Sequence, residues 1–226
     1  MSYEKPNGFK VKEKEFPDPP IISAAGLMLL ETFALQNHIF IGIFDADHSR
    51  YIFQTSNAIH KEAQGRITDL EAKIAGEFTP EEKKDIRLFV CGSCPVNAGQ
   101  NRIKYLLQRI PLGFGAHAYP GIYLDSIRNV THLVSGEGYW LRIKAGEKVY
   151  SWFSGQKKLL RHDIISDREK EVIQYWAEGY SFSKIEDKLF ISVNTIKNHL
   201  KACRNRLLAR DNISLVQLCL LSGALR

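Results

Sequence analysis

Near the C-terminus, apolar and polar residues alternate with the period of an amphipathic helix. From Ser192 to Asn205 the sequence reads SVNTIKNHLKACRN, with an apolar side and a side that holds only amide and basic groups. The apolar positions are Ile196, Leu200, Cys203 and Leu207, and the polar ones are Asn194, Lys197, Asn198, Lys201 and Asn205. Ser192 is placed to cap this helix through the amide of Thr195. Such a helix suits the major groove of DNA, where amides read adenine and lysines reach guanine or phosphate.

Three further segments near this helix also have helical signals. Ser166 and Glu169 have the spacing of a capping box and open a predicted helix that Gly179 ends. A second short helix, Ser183–Leu189, is separated by two residues from the capping serine of the long helix, which is the spacing of a helix-turn-helix. The last helix, Asp211–Leu221, is apolar nearly all round. Its surplus apolar surface indicates a partner chain.

The run from Ile165 to Leu207 resembles the DNA-binding domain of LuxR/GerE-type bacterial transcription regulators. The matching positions are Arg168, Glu169, Glu171, Val172, Gly179, Ser181, Ile185, Leu189, Phe190, Ile191, Ser192, Thr195, Lys197, His199 and Leu207. The resemblance implies a four-helix domain that dimerises through its last helix. It also implies base and phosphate contacts from one set of residues: Asn194, Thr195, Lys197, Asn198 and Lys201. By their charge, Arg204 and Arg206 add phosphate attraction to this set. A dimer would place two recognition helices about one turn of DNA apart.

Three positions depart from the pattern of the family. Arg204 stands where the family has an aromatic residue, and it adds to the positive field. Glu186 stands where the family usually has an alanine, which lets the two helices approach closely. We therefore expect Glu186 either to tilt toward solvent or to open the helix crossing slightly. Leu208 stands where the family often has a glycine, and it bears on the end of the recognition helix.

The distribution of charge supports a DNA-facing surface. The formal net charge of +6 is compatible with nucleic acid but does not demand it. Between Asn194 and Arg210 there are five basic residues and no acidic one. A charge run is usually an ordinary solvated face, but the helix-turn-helix register favours the DNA-binding interpretation here.

The N-terminal part of the chain begins with a charged, proline-punctuated stretch that has no periodic apolar side. Ile21–Leu35 then predicts a buried helix that ends near Asn37 and His38 and is too short to span a membrane. No signal-peptide pattern precedes it, so we expect a cytoplasmic protein. Ile39–Asp45 and Tyr51–Ser56 are rich in aromatic and β-branched residues and predict a β-hairpin.

The middle of the chain predicts helices followed by strands. Helical patterns run from Ala58 to Ile110, with one helix opened at Thr79–Glu82 and another, opened at Asn97 or Gln100, that carries the apolar positions Ile103, Leu106, Leu107 and Ile110. Short strands are predicted at Ile122–Ile127, Val130–Val134, Tyr139–Ile143 and Lys148–Phe153. This order indicates an α+β domain, one antiparallel sheet with helices on one face. We interpret the aromatic residues Tyr139, Trp140 and Trp152 as core or pocket lining.

The element order and the phrase IFIGIFDADHSRYIFQTSN are similar to a PAS-type sensory domain, and the LuxR autoinducer-binding domain is the rival fold. With 226 residues, 44% of them apolar, the chain is long enough for two domains. We predict a flexible lead-in at 1–20, a PAS-like sensory or dimerisation domain at 21–154, a basic linker at 155–162 and a four-helix helix-turn-helix domain at 163–226.

Cys91 and Cys94 have the C-x-x-C spacing of redox or half-zinc sites, but the sequence offers no second pair to complete a metal site. A structural role is favoured over redox or metal sensing. No phosphate loop or nucleophile motif appears in a plausible context, so an enzyme is not expected.

The favoured function is a dimeric, DNA-binding transcription regulator with an N-terminal sensor. It has RNA polymerase as a further partner and no membrane contact. No cofactor is predicted, and an unidentified small ligand in the sensor stays open. The alternative is a ligand- or redox-sensing module whose helix-turn-helix serves as a protein-interaction surface.

Overall fold

The computed structural model describes residues 23–45, 50–55, 78–79, 82, 86–95, 102–114 and 117–225. The elements in chain order are α1 (Ala24–Gln36), β1 (Ile39–Asp45), β2 (Arg50–Gln54), β3 (Ile86–Pro95), β4 (Arg102–Phe114), β5 (His117–Asn129), β6 (Trp140–Ala145), β7 (Lys148–Phe153), α2 (Asp167–Ala177), α3 (Phe182–Leu189), α4 (Val193–Leu207) and α5 (Asn212–Leu221). The predicted lead-in at 1–20 lies outside the described residues.

The strands form one seven-stranded sheet in the order β2-β1-β5-β4-β3-β6-β7, and every neighbouring pair is antiparallel. The predicted hairpin is confirmed as β1 and β2, whose connection lies outside the described residues. An antiparallel sheet domain followed by four C-terminal helices is the α+β plus all-α architecture that the sequence predicts.

The central strands of the sheet are buried on both faces, and neighbouring residues of one strand enter different cores. On β4, Leu107 joins a cluster with Phe40, Val90 and Ile143, whereas Leu106 joins a cluster that continues into the C-terminal helices. This alternation is the ordinary consequence of side chains pointing to opposite faces of a strand. The C-terminal helical domain therefore packs directly on one face of the sheet.

The helix that we predicted to carry Ile103, Leu106, Leu107 and Ile110 is wrong, because all four residues lie on strand β4. A strand that is buried on both faces reads as a nearly continuous apolar run. Apolar residues then also occur at helical spacings by coincidence, and periodicity cannot separate the two structures. The predicted start of this helix lies outside the described residues.

The helix start predicted at Thr79 is supported by a capping box. The Thr79 backbone N–H donates to Oε2 of Glu82 over 2.9 Å, and the Glu82 backbone N–H donates to Oγ1 of Thr79 over 3.2 Å. Strand β3 begins shortly afterwards at Ile86. In the region 58–110 that we predicted to be helical, the described residues from Ile86 onward therefore form strands.

The strand predicted at Val130–Val134 is also wrong. This segment is a turn after β5, and Val134 alone makes a bridge, to Ala209 of the C-terminal domain. Val130, Leu133 and Val134 are buried because the helical domain packs on them. The apolar residues of this segment are therefore explained by packing between the two domains and not by strand pairing within the sheet.

Helix α1 is apolar on most of its surface but is buried on one side only, where the sequence predicted a buried helix. It begins after the cap Ser23 and ends before Asn37, so the predicted end is confirmed. Leu27 packs against the sheet. Met28, Leu29, Phe33 and Leu35 remain exposed. None of the described helices is long and apolar enough to cross a membrane.

Each of the four C-terminal helices begins at a side-chain cap, and the caps of α2 and α4 are the ones that the sequence predicts. Ser166 and Glu169 form the predicted capping box of α2, Ser181 caps α3 and Asp211 caps α5. The preceding segment, predicted as a linker at 155–162, is held against β7, because Ser151 and Leu160 exchange backbone hydrogen bonds of 3.0 and 2.8 Å.

Candidate nucleic-acid interface

The N-terminal turn of α4 is fixed by two side chains. Oγ of Ser192 accepts the backbone N–H of Thr195 over 3.2 Å, as predicted, and lies 3.0 Å from Oγ1 of Thr195. Oε1 of Glu186, on α3, accepts the backbone N–H of Val193 over 3.2 Å. Two of the amides that a helix start leaves unpaired are thus satisfied, and the acceptor charge of Glu186 is favourable at the positive end of the helix.

The Glu186 carboxylate is bound at the helix junction and is not simply turned toward solvent. Glu186 is half-buried, and its carboxylate joins the two helices of the motif at their junction. The substitution of the family's alanine is accommodated by a new hydrogen bond, and the helix-turn-helix is intact.

Helix α4 divides into a buried and an exposed side, as its sequence predicts. Ile196, Leu200, Cys203 and Leu207 are buried. Asn194, Lys197, Asn198, Lys201 and Asn205 are exposed, and Thr195 is half-buried at the helix start. The structure thus brings the predicted base- and phosphate-contacting residues to one surface that carries no acidic group. Amide and ammonium groups on a protruding helix can donate to base edges and phosphates in a groove.

Arg206 does not belong to this surface. Its Nη1 donates to the Ile164 carbonyl over 2.7 Å, and its Nη2 donates to Oε1 of Glu169 on α2. Glu169 also accepts the backbone N–H of Ser166 over 2.9 Å. Arg206 thus ties the recognition helix to the first helix of the domain. Arg204, two residues earlier, is half-exposed.

The charge of Glu169 is stabilised by this network. Burial alone would raise the pKa of Glu169, but the hydrogen bonds from the Ser166 backbone and from Arg206 outweigh it. The pKa is therefore held below its ordinary value, and the carboxylate is ionised when it pairs with Arg206.

The end of α4 adopts the conformation that a glycine would favour. Leu208 is the C-cap with φ 58°, and its backbone N–H donates to the Arg204 carbonyl. Phe190, at the turn between α3 and α4, has φ 53° and is 92% exposed. Left-handed conformations cost about 1 kcal/mol or more for residues with a Cβ. The turn thus holds a strained aromatic residue that makes little packing contact.

The cysteine pair lies on strand β3. Cys91 is buried against the C-terminal domain, and burial raises the pKa of its thiol to about 12. A thiol with so high a pKa is a poor nucleophile and metal ligand at neutral pH. Within the described residues, no group of three or more histidine, cysteine, aspartate or glutamate side chains is placed to hold a metal. The side chain of Cys94 lies outside the description.

The sheet domain holds a buried polar cluster that was not predicted from the sequence. Nε and Nη2 of Arg109 bind the two carboxylate oxygens of Asp125, each over 2.7 Å, and the Tyr51 hydroxyl donates to Asp125 over 2.5 Å. Arg109 also stacks on the Phe44 ring, 4.2 Å from its centroid. Each residue alone looks like an ordinary strand residue, because the partners come from different strands.

The capped helices and the acid-free exposed side of α4 define a class: a helix-turn-helix DNA-binding domain packed on an antiparallel sheet domain. Residues 163–219 match the family of bacterial regulatory proteins described as the luxR family. This part of the chain is a LuxR-family helix-turn-helix domain, as the sequence predicts.

Solved structures similar to this chain include a phage VqmA–DPO complex at 14% identity, with 88% of this chain and 90% of that chain covered and a TM-score of 0.33. A VqmA–ligand–DNA complex of Vibrio cholerae has 13% identity, coverage of 87% and 89%, and a TM-score of 0.30. SdiA of Escherichia coli has 14% identity, coverage of 91% and 93%, and a TM-score of 0.29. No significant match was found among curated proteins. The family assignment rests on residues 163–219 and not on these likenesses.

Proposed function

We propose that this protein is a transcription regulator that inserts α4 into the major groove of DNA. The observation that carries the proposal is the exposed, acid-free side of α4 in an intact helix-turn-helix. In this proposal Asn194 and Asn198 contact bases, and Lys197 and Lys201 contact guanine or phosphate. Thr195 contacts the backbone at the helix start, and Arg204 adds phosphate attraction.

The regulator acts as a homodimer in this proposal. Ile213 and Leu220 on α5 are 64% and 52% exposed, and Val216 is half-buried between them on the same side. A second α5 covering this side would place two recognition helices on adjacent half-sites of a pseudo-palindrome. The sheet domain senses a small ligand that remains to be identified, the protein acts in the cytoplasm, and RNA polymerase is the downstream partner.

The experiment is selection of bound duplexes from a random-sequence pool by the full-length protein, followed by fluorescence anisotropy over a salt series. We expect an inverted repeat, with affinity that falls steeply as salt rises. The double change Lys197→Gln and Lys201→Gln should reduce the slope of log affinity against log salt by roughly 1.8, since each lost phosphate contact contributes about 0.9.

A matched control has the same loss of charge elsewhere. Lys157→Gln with Lys158→Gln removes two exposed lysines of the segment before α2 and should leave the slope nearly unchanged. Equal loss for both pairs would indicate attraction by total charge and contradict a groove-reading α4. Absence of DNA binding by folded dimers would favour a protein-interaction role for the helix-turn-helix.

A further inference from the structure

The two domains are joined by main-chain hydrogen bonds as well as by apolar packing. The Ser135 N–H donates to the Leu208 carbonyl over 2.7 Å, and the Arg210 N–H donates to the Leu133 carbonyl over 2.9 Å. These bonds flank the antiparallel bridge between Val134 and Ala209. The segment after β5 and the connection between α4 and α5 thus pair as a minimal β-ladder.

Strand β6 adds two side-chain donors beside this ladder. The indole Nε1–H of Trp140 donates to the carbonyl of Leu207, the last residue of α4, over 2.9 Å. Nη1 of Arg142 donates to the carbonyl of Ser222, the C-cap of α5, over 3.1 Å. We call residues 133–135 and 208–210, together with Trp140 and Arg142, the docking seam.

The docking seam satisfies groups that a helix cannot satisfy by itself. The last carbonyls of a helix have no partner within it, and they carry the negative end of the helix dipole. The indole N–H of Trp140 supplies the missing donor at the end of α4, and the positively charged guanidinium of Arg142 supplies it at the end of α5. Trp140 and Arg142 lie two residues apart on β6, so they project from the same face of the sheet.

Arg142 also fixes the start of the helical domain. Its Nε and Nη2 bind the two carboxylate oxygens of Asp163 over 2.7 and 3.0 Å, and Lys170 of α2 lies 3.1 Å from Asp163. Burial raises the pKa of Asp163, but the hydrogen bonds and charge of Arg142 and Lys170 outweigh it and hold the pKa below its ordinary value. One arginine of the sheet domain therefore contacts both ends of the helical domain.

Docking leaves open the surfaces that DNA reading requires. Lys197, Asn198 and Lys201 are exposed in the docked arrangement, and so are Ile213 and Leu220 of α5. If docking served to block binding, we would expect one of these surfaces to be covered. The docked arrangement is thus compatible with both groove entry and pairing of α5.

We propose that Trp140 and Arg142 are positioning residues for DNA reading: they hold the recognition helix at a fixed orientation on the sheet domain in the DNA-reading state. This inference rests on the proposed function. A protein that reads two half-sites gains affinity from a preset orientation. The orientational freedom that binding would otherwise remove is already absent in the free protein. Non-specific phosphate contacts tolerate many orientations and gain little from it.

The test compares Trp140→Phe with Trp152→Phe in the full-length protein. The first change keeps an aromatic ring and removes the N–H that caps α4. The second makes the same chemical change at a half-buried residue of β7 that stacks on Tyr139. Hydrogen exchange at the amides of Ser135 and Arg210, which donate across the docking seam, reports docking. Anisotropy against a duplex selected by the wild type and against a random duplex reports DNA reading.

Trp140→Phe should accelerate exchange at both amides and weaken binding of the selected duplex by about two- to tenfold, as expected for one lost hydrogen bond. Binding of the random duplex should stay unchanged, and Trp152→Phe should alter none of these quantities. Arg142→Lys keeps the charge but loses the bidentate contact with Asp163. It should likewise accelerate exchange at both amides and weaken binding of the selected duplex. It keeps the test available if Trp140→Phe fails to fold.

Three results would overturn the inference. Unchanged exchange in both variants would mean that these side chains do not hold the docking seam. Faster exchange with an unchanged ratio of selected to random affinity would make the contacts purely structural, and tighter selected binding would make docking inhibitory. If the wild type selects no sequence, the proposed function has failed instead. The exchange measurement would still decide whether Trp140 and Arg142 hold the docking seam.

Discussion

Arg204 and Arg206 lie on the same helix and have the same charge, but their surroundings indicate different roles. Both side chains are partly exposed, but Arg206 is bound to Glu169 and to the Ile164 carbonyl, whereas Arg204 follows Lys197 and Lys201 at helical spacing. Arg206→Ala should therefore lower the free energy of unfolding. Arg204→Ala should instead weaken DNA binding and leave stability within about 0.5 kcal/mol of the wild type.

The size of the Arg206 effect follows from what the substitution leaves behind. Removing one partner of a buried ion pair costs about 3–5 kcal/mol, because the other charge stays buried. Here the Arg206 side chain is 22% exposed and that of Glu169 is 9% exposed. Glu169 also keeps the hydrogen bond from the Ser166 backbone. We therefore expect Arg206→Ala to lower the free energy of unfolding by about 2 kcal/mol, which corresponds to a fall in Tm of about 4–8 °C in a protein of this size.

Thermal unfolding followed by far-UV circular dichroism measures this fall, and a double-mutant cycle with Glu169→Gln assigns it to the pair. The double variant should lose less stability than the sum of the two single variants. DNA anisotropy over a salt series completes the comparison, since Arg204→Ala should reduce the slope by about 0.9 for one phosphate contact. A wild-type Tm for Arg206→Ala together with a reduced salt slope would refute the structural role of Arg206.

Three other predictions follow from local structure. Phe190→Gly should raise the free energy of unfolding by about 1 kcal/mol, because it removes a left-handed strain and loses almost no packing, whereas Phe190→Ala keeps the strain and should not. Because the pKa of Asp163 lies below its ordinary 3.8, its stabilisation is present above that pH and lost as pH falls through the lower folded-state pKa. The denaturant midpoint should thus fall more steeply below about pH 4 in the wild type than in Asp163→Asn. The buried thiols of Cys91, Cys203 and Cys219 have raised pKa values, so a thiol reagent at neutral pH should label at most one cysteine per native chain and all four after unfolding.

The helix-turn-helix could be predicted nearly to the residue because its signals are local. The capping pair Ser166 and Glu169 and the cap Ser192 each act within one helical turn, and the structure contains all of these hydrogen bonds. The buried side of α4 follows from the helical period alone. Local signals of this kind do not depend on what the rest of the chain does.

The sheet was predicted less well because its strands are defined by distant partners. Strand β4 pairs with β3 and β5 and is buried by different cores on its two faces. An apolar run of that kind satisfies a helical template as well as a strand template. Val130–Val134 shows the opposite error, in which a strand-like composition belongs to a turn that is buried by the other domain.

The exposed surface of α4 could be predicted because it follows from the period of one helix. Contacts with distant parts of the chain could not be predicted in this way. The charge count placed Arg206 with the other basic residues because nothing nearby reveals its acceptor, Glu169, on α2. Trp140 and Arg142 were harder still, since their acceptors on α4 and α5 are carbonyl groups, which every residue has.

The docking seam is expected to open cooperatively, because its buried donors depend on carbonyl groups of the other domain. Partial opening would leave the buried indole N–H of Trp140 or the guanidinium of Arg142 without its carbonyl, and an unpaired buried donor costs about 1–3 kcal/mol or more. The two caps and the ladder are thus expected to open together. Under the proposed function, a ligand bound by the sheet domain would then act on α4 by shifting the balance between docked and undocked arrangements, and not by a graded tilt.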